Sequence, residues 1–274
     1  MRTVDPPLSA AVGQRVAGLR RLGKRIVFAM ENDIFIVLHL MIAGRLHWRD
    51  AGAPLAGKYN LAAFDFPNGS LVLTEVGSKR RASLHMARGE DELAALDPGG
   101  IEPLECAEAA FADAIKGSGH TLKRALTEPH LFSGIGNAYS DEILHRAKLS
   151  PVRLAKTLTA AEADTLHRAT QDVLREWTAR LQKEAGEKFP EKVTAFRKGM
   201  AVHGRYREKC PVCGSPVQRI VHGENETNYC AQCQTGGKLL ADRALSALLK
   251  KDWPKTLAEW EEMAIARARP GVPR

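Results

Sequence analysis

Aromatic residues are scarce in this chain of 274 residues, at 6%, and there are only five cysteines. The shortage of rings argues against a binder of single-stranded RNA, which needs several clustered aromatics on which bases can stack. Five cysteines are too few for a disulfide-stapled secreted scaffold. Long apolar runs are also missing. The most apolar stretch, Ile34 to Ile42, is nine residues broken by His39, whereas a bilayer span needs about 20. No apolar leader follows Met1; the chain opens on Arg2, Asp5, Pro6 and Pro7. There is no internal repeat. The expected setting is the cytosol or the nucleoid of a bacterium, with no membrane partner. In that reducing compartment paired cysteines more often signify metal than disulfide.

What is present is an ordinary globular composition with a basic balance. Hydrophobic residues make up 44% and charged residues 26%; Lys plus Arg number 40 against 32 Asp plus Glu, a net charge of +8. A positive balance favours polyanionic partners, because each neutralised phosphate releases condensed counterions. The first third reads as β. Ile26 to Met30 and Ile34 to Met41 are β-branched runs separated by Glu31-Asn32-Asp33. Leu61 to Phe66 and Leu71 to Val76 flank Pro67-Asn68-Gly69-Ser70, a hairpin signal. Ala82 to Met86 is a further candidate strand, and the set suggests a sandwich or barrel over 11–88.

After Pro98-Gly99-Gly100 the texture becomes helical, with candidates at Ala107 to Lys116, Thr121 to Leu126 and Asp141 to Ala147. Thr159 and Glu162 form a capping box at the head of a long helix. On that helix Leu166, Val173, Trp177 and Leu181 share a face, and Gly186 and Pro190 end it. The fold class is therefore α+β. The expected domains are a β-sandwich over 1–98, a helical domain over 99–195, a cysteine module over 196–240, and a tail over 241–274 that ends in a polar, Arg- and Pro-containing stretch expected to be disordered.

Four of the cysteines are spaced as Cys210-Pro-Val-Cys213 and Cys230-Ala-Gln-Cys233, with sixteen residues between the pairs. Each CxxC closes a knuckle that aims two thiolates at one point, and two knuckles make a tetrahedral site suited to one structural Zn²⁺. Four protein ligands leave no position for water, so the ion would not be catalytic. Cys106 stands apart and reads as a plain buried thiol. A zinc ribbon by itself does not specify DNA. Its neighbours Arg197, Lys198, Arg205, Arg207 and Lys209, with Arg219 inside it, read equally as a binding face or as a solvated charged surface.

Two stretches carry a resemblance. The first is Leu122-Lys123-Arg124-Ala125-Leu126, Gly134-Ile135-Gly136-Asn137-Ala138-Tyr139, Asp141-Glu142 and Leu149-Ser150-Pro151. The second is His203-Gly204-Arg205 leading to Thr227, Tyr229-Cys230 and Cys233-Gln234. Together they resemble the helix–two-turn–helix and zinc finger of the formamidopyrimidine-DNA glycosylase and endonuclease VIII family. Weaker echoes lie at Arg20 to Lys24, His39 to Gly44 and Ile101 to Leu104. The resemblance implies a base-excision-repair glycosylase and AP lyase. Its partner would be double-stranded DNA carrying oxidised bases or abasic sites, bound by a monomer. It implies DNA contacts at Lys123, Gly136, Asn137 and Arg205, and at Arg80 and Arg81 in a loop that enters the duplex. It also implies a catalytic lysine at Lys24, beside the lesion phosphates.

The sequence departs from that family at three places. The family begins Pro-Glu and attacks the sugar with the proline amine; here the chain begins Met-Arg-Thr-Val-Asp-Pro-Pro, and the strand and helix before the Lys24 strand are not seen. Either the start lies upstream, or the chain is a short form that binds damaged DNA without the usual chemistry. Five residues before Cys230, where the family carries an arginine, stands Asn225 between Glu224 and Glu226. In the loop Ser78-Lys79-Arg80-Arg81-Ala82-Ser83, Ala82 replaces an aromatic wedge residue.

Overall fold

The computed structural model describes residues 3, 5–76, 79–191, 193–223, 225–241 and 254–268. They fall into two compact units, Met1–Gly99 with Arg180–Thr194, and Gly100–Ala179 with Ala195–Arg274.

The first unit is a two-sheet sandwich. One sheet has the order β1-β2-β3-β7, from Val16–Leu22, Arg25–Met30, Ile34–His39 and Ser83–Arg88. The other has the order β4-β6-β5, from Gly44–Arg49, Gly69–Glu75 and Asn60–Phe66. All pairings are antiparallel. Phe28, Ile36, Leu38, Leu84 and Met86 of the first sheet meet Leu71 and Leu73 of the second. The alternate residues Val27, Phe35, Val37 and Ala87 point the other way, and helix α1 (Gly89–Ala94) covers them with Leu93. Strands β2 and β3 are thus buried on both faces, which is why they read as continuous apolar runs.

The edge strands β1 and β4 carry no such signal. Val16–Leu22 contains two arginines and Gly44–Arg49 two arginines and a histidine, as expected of edges that must resist pairing with another chain. The β5–β6 hairpin forms as its turn residues suggest, but Phe66 pairs with Gly69, so the turn is Pro67-Asn68. Gly69 is glycine for another reason: a Cβ there would lie 2.3 Å from the Trp48 ring.

The second unit begins with helices α2 (Glu108–Gly117), α3 (Leu122–Thr127), α4 (Asn137–Arg146) and α5 (Ala160–Ala185). Phe111, Ile115, Leu126, Ile143, Leu144, Leu166, Val173 and Trp177 belong to one buried cluster. The capping box at the head of α5 is complete. Thr159 N donates to Glu162 Oε2 at 2.9 Å, and Glu162 N donates to Thr159 Oγ1 at 3.3 Å. Arg153 adds two guanidinium bonds to the same carboxylate. These bonds, Arg153 first, pull the Glu162 pKa from 4.5 down to about 2.

A folded pKa below the unfolded one means that the stabilisation is fully present above pH 4.5 and disappears as pH falls towards 2. Glu162→Gln should therefore melt below the wild type at pH 7, with the gap closing at pH 3. A gap of the same size at both pH values would remove the ionised carboxylate from the cap.

The cysteine module is a hairpin of β8 (Val217–His222) and β9 (Asn225–Cys230) followed by helix α6 (Ala231–Thr235). Part of the tail is helical: α7 spans Leu257–Ala268. Its Leu257 and Trp260 pack with Tyr229 and Leu239 on the back of the hairpin.

Candidate nucleic-acid interface and metal centre

The four knuckle sulfurs lie within 4.8 Å of one another. Cys213 Sγ is 3.4 Å from Cys230 Sγ, and Cys210 Sγ is 3.9 Å from Cys233 Sγ. Tetrahedral Zn–S bonds of about 2.3 Å place sulfurs about 3.8 Å apart, so these residues fit the ion. Backbone bonds shape the first knuckle: Cys210 N donates to Ser215 O and Gly214 N to Cys210 O, both at 2.9 Å. In the second, Gln234 Oε1 accepts Cys230 N at 2.8 Å while its Nε2 donates to Leu149 O at 2.9 Å. Cys106 takes no part. Burial pushes its thiol pKa up, and it lies 3.9 Å from His167 Nε2.

Helix α4 joins the helical and cysteine parts. Gly134 has φ +80, the left-handed turn that only glycine adopts without strain, and extended Gly136 caps the helix. Asn137 opens the helix, and its side chain does not bond the helix end. Asn137 Nδ2 instead donates to Glu226 O of β9 at 2.9 Å. One turn on, Asp141 is fully buried. It accepts from Lys123 Nζ, from His203 Nδ1 at 2.8 Å and from Asn228 N at 3.2 Å. Another turn on, His145 Nε2 lies 3.3 Å from Cys210 Sγ. Beside this stripe, the Glu142 carboxylate accepts three consecutive backbone N–H groups, of Ala201, Val202 and His203, at 2.7, 2.9 and 2.9 Å. Buried charges with this many donors are satisfied, and removing one would orphan its partners.

Two residues expected at the DNA are held inside this unit. Lys123 Nζ donates to Asn137 O at 2.6 Å as well as to Asp141, and only 13% of its side chain is exposed. Burial lowers its pKa, opposed by Asp141. Arg205 bonds Glu208 at 2.9 Å and the carbonyls of Met200, Ala201 and Lys209. Glu226, beside Asn225, pairs with Arg219 at 3.1 Å and accepts Asn228 Nδ2 at 2.7 Å. Glu224 lies outside the described residues.

In the sandwich unit Lys24 sits in the β1–β2 turn. The residue is exposed, yet its surroundings desolvate the ammonium enough to lower its pKa. Arg25 pairs in register with His39. Desolvation first, then the charges of Arg25, Lys24 and His85, lower the His39 pKa. Arg80 and Arg81 are exposed on a loop whose backbone is anchored by buried Glu75. That carboxylate accepts Arg81 N at 2.8 Å and Ala82 N at 3.1 Å. Arg80 donates to Lys58 O at 2.7 Å. Ser78 lies outside the described residues.

Sequence reasoning missed the roles of Asp141, Glu142, His145, His203, Asn228 and Gln234. The signal for two of them was there: Asp141 and His145 follow Asn137 at four-residue spacing, one helix face that is polar where a core helix should be apolar.

Comparison with known proteins agrees with this architecture. Residues 3–82 match the formamidopyrimidine-DNA glycosylase N-terminal domain, residues 100–186 the formamidopyrimidine-DNA glycosylase H2TH domain, and residues 207–236 a zinc finger found in FPG and IleRS. The formamidopyrimidine-DNA glycosylase of Thermus thermophilus is 33% identical over 235 residues, which cover 83% of this chain and 85% of that protein. An uncharacterized formamidopyrimidine-DNA glycosylase-like protein of Mycobacterium tuberculosis is 38% identical over 151 residues, 55% of this chain and 94% of that one. The Lactococcus lactis FPG (MutM) solved with FAPY-dG containing DNA superposes with a TM-score of 0.73 at 25% identity, covering 83% of this chain and 84% of that one. With the sandwich, the H2TH helices and the four-cysteine finger all matched in chain order, the chain belongs to the formamidopyrimidine-DNA glycosylase family.

Proposed function

We propose that the chain is a base-excision-repair glycosylase and AP lyase acting as a monomer on oxidised bases or abasic sites in duplex DNA. The observation that carries the reading is the head of α4. Asn137 Nδ2 has two protons and spends one on Glu226 O; the other is available to a phosphate oxygen. The first-turn N–H groups have no helical acceptor, and the positive end of the helix dipole adds to them. Gly136 lets a phosphate approach the backbone without a Cβ in the way. Arg80 and Arg81 supply cations from the Glu75-anchored loop. Within the second unit, Lys123 braces the head of α4 through Asn137 O and Asp141.

One structural Zn²⁺ held by Cys210, Cys213, Cys230 and Cys233 fixes β9, and through Glu226 the orientation of Asn137. The ion supplies cross-linking of the two knuckles and no chemistry on DNA. The catalytic amine in this reading is Lys24, accessible and partly desolvated, so that a larger share of it is the free base than for an ordinary lysine.

Asn137→Ala should weaken binding to lesion-bearing and undamaged duplexes by a similar factor, about tenfold for one charge-assisted hydrogen bond, with zinc content unchanged. A loss confined to one lesion in a fluorescence-anisotropy titration would make Asn137 a lesion reader and remove its phosphate role.

A further inference from the structure

The metal reading of the four cysteines leaves one contact unexplained. His145 is 6% exposed and sits in the last turn of α4, and its Nε2 lies 3.3 Å from Cys210 Sγ. Cys210 is 2% exposed. A metal-bound thiolate carries no proton, so the contact is attractive only if Nε2 is the protonated nitrogen and donates. Hydrogen bonds to a coordinating sulfur delocalise its charge and hold its orientation, and groups of this kind change metal retention about 10–100-fold when removed.

We propose that His145 is a positioning residue for the metal: it donates Nε2–H to Cys210 and thereby retains the ion in the finger and locks the finger to α4. The placement on the helix supports the second half. Asn137, Asp141 and His145 are spaced by four residues and bond, in turn, the β9 carbonyl of Glu226, the β9 amide of Asn228 and the first knuckle. His145 is the one of the three whose partner is a metal ligand. It therefore couples metal occupancy to the helix whose other end carries Asn137. Loosening the ion would loosen the third rung of the ladder, and the finger would lose register with the contact surface without any change in the sandwich.

The experiment is zinc transfer from the purified full-length protein to a chromogenic chelator, followed by stopped flow. The variants are His145→Phe and His145→Met, which keep bulk without a donor, and His145→Gln, whose amide N–H can reach the same sulfur. The two variants lacking the donor should release zinc about tenfold faster than wild type, with His145→Gln within about threefold of it. Release at the wild-type rate in Phe and Met variants would overturn the proposal. So would equally fast release from all three, because that pattern follows packing and not the donor. Should the Phe variant fail to fold, the contrast between Met and Gln carries the same decision. Because chelation needs no DNA, failure here would leave the proposed repair activity standing, and failure of that activity would leave this test intact.

Discussion

Cys230→Ser is expected to strip zinc from the protein, unfold the finger and reduce DNA affinity by about a hundredfold or more. Cys230 is fully buried and shares a small cluster with Val202, Cys210 and Val217; this cluster, which ties the two knuckles, has two apolar side chains besides the cysteines, while Tyr229 and Leu239 pack separately. Structural zinc supplies about 10–16 kcal/mol to finger peptides, far more than that cluster offers. When β9 is released, Asn137 loses Glu226 O and Asp141 loses Asn228 N. The first is a neutral bond worth about 0.5–1.5 kcal/mol and the second, to a carboxylate, about 1.5–3 kcal/mol; neither then holds the contact surface.

The sandwich has its own core of Phe28, Leu38, Leu71 and Leu73, so its melting transition should stay in place while a second transition disappears. Removal of the metal with a chelator should reproduce the variant. Zinc retained at the wild-type level in Cys230→Ser, with an unchanged melt, would show that the finger does not depend on this ligand.

The parts readable from sequence were those with short-range rules. The CxxC spacing specified the four ligands because a knuckle is a local turn. Thr159 and Glu162 announced a helix start because a capping box spans only four residues. The two central strands were visible because both faces are buried. The edge strands β1 and β4 were not, since solvent-facing arginines and histidines break the apolar pattern without breaking the strand.

The fate of Lys123 and Arg205 was also hidden. A lysine on a helix near a glycine turn has the same local sequence whether it faces a phosphate or Asp141, and only the packing of α3 against α4 decides. The same holds for Glu142, whose three acceptor bonds go to residues some 60 positions away. The helix in the tail was missed because its partner surface, Tyr229 and Leu239, lies on a different element.

In the proposed function this chain recognises abasic DNA and performs amine chemistry on it. An abasic sugar in its open form presents an aldehyde. A free lysine amine adds to that carbon, water leaves, and the resulting iminium is reduced by borohydride to a stable cross-link. Lys24 is suited to the first step because desolvation lowers its pKa from 10.5, and its residue remains accessible. The free-base fraction rises with pH, so a lowered pKa moves the rise in trapping to lower pH than an ordinary lysine would show.

The measurement is borohydride trapping on a duplex with one abasic site, resolved on a denaturing gel, beside a gel-shift on the same DNA. The account predicts a covalent adduct for the wild type, a loss of about a hundredfold or more for Lys24→Met, and binding of that variant within about threefold of wild type. Tight binding with no adduct in the wild type would contradict it and leave a damaged-DNA-binding protein without lyase chemistry; an adduct that survives in Lys24→Met would assign the chemistry to another amine.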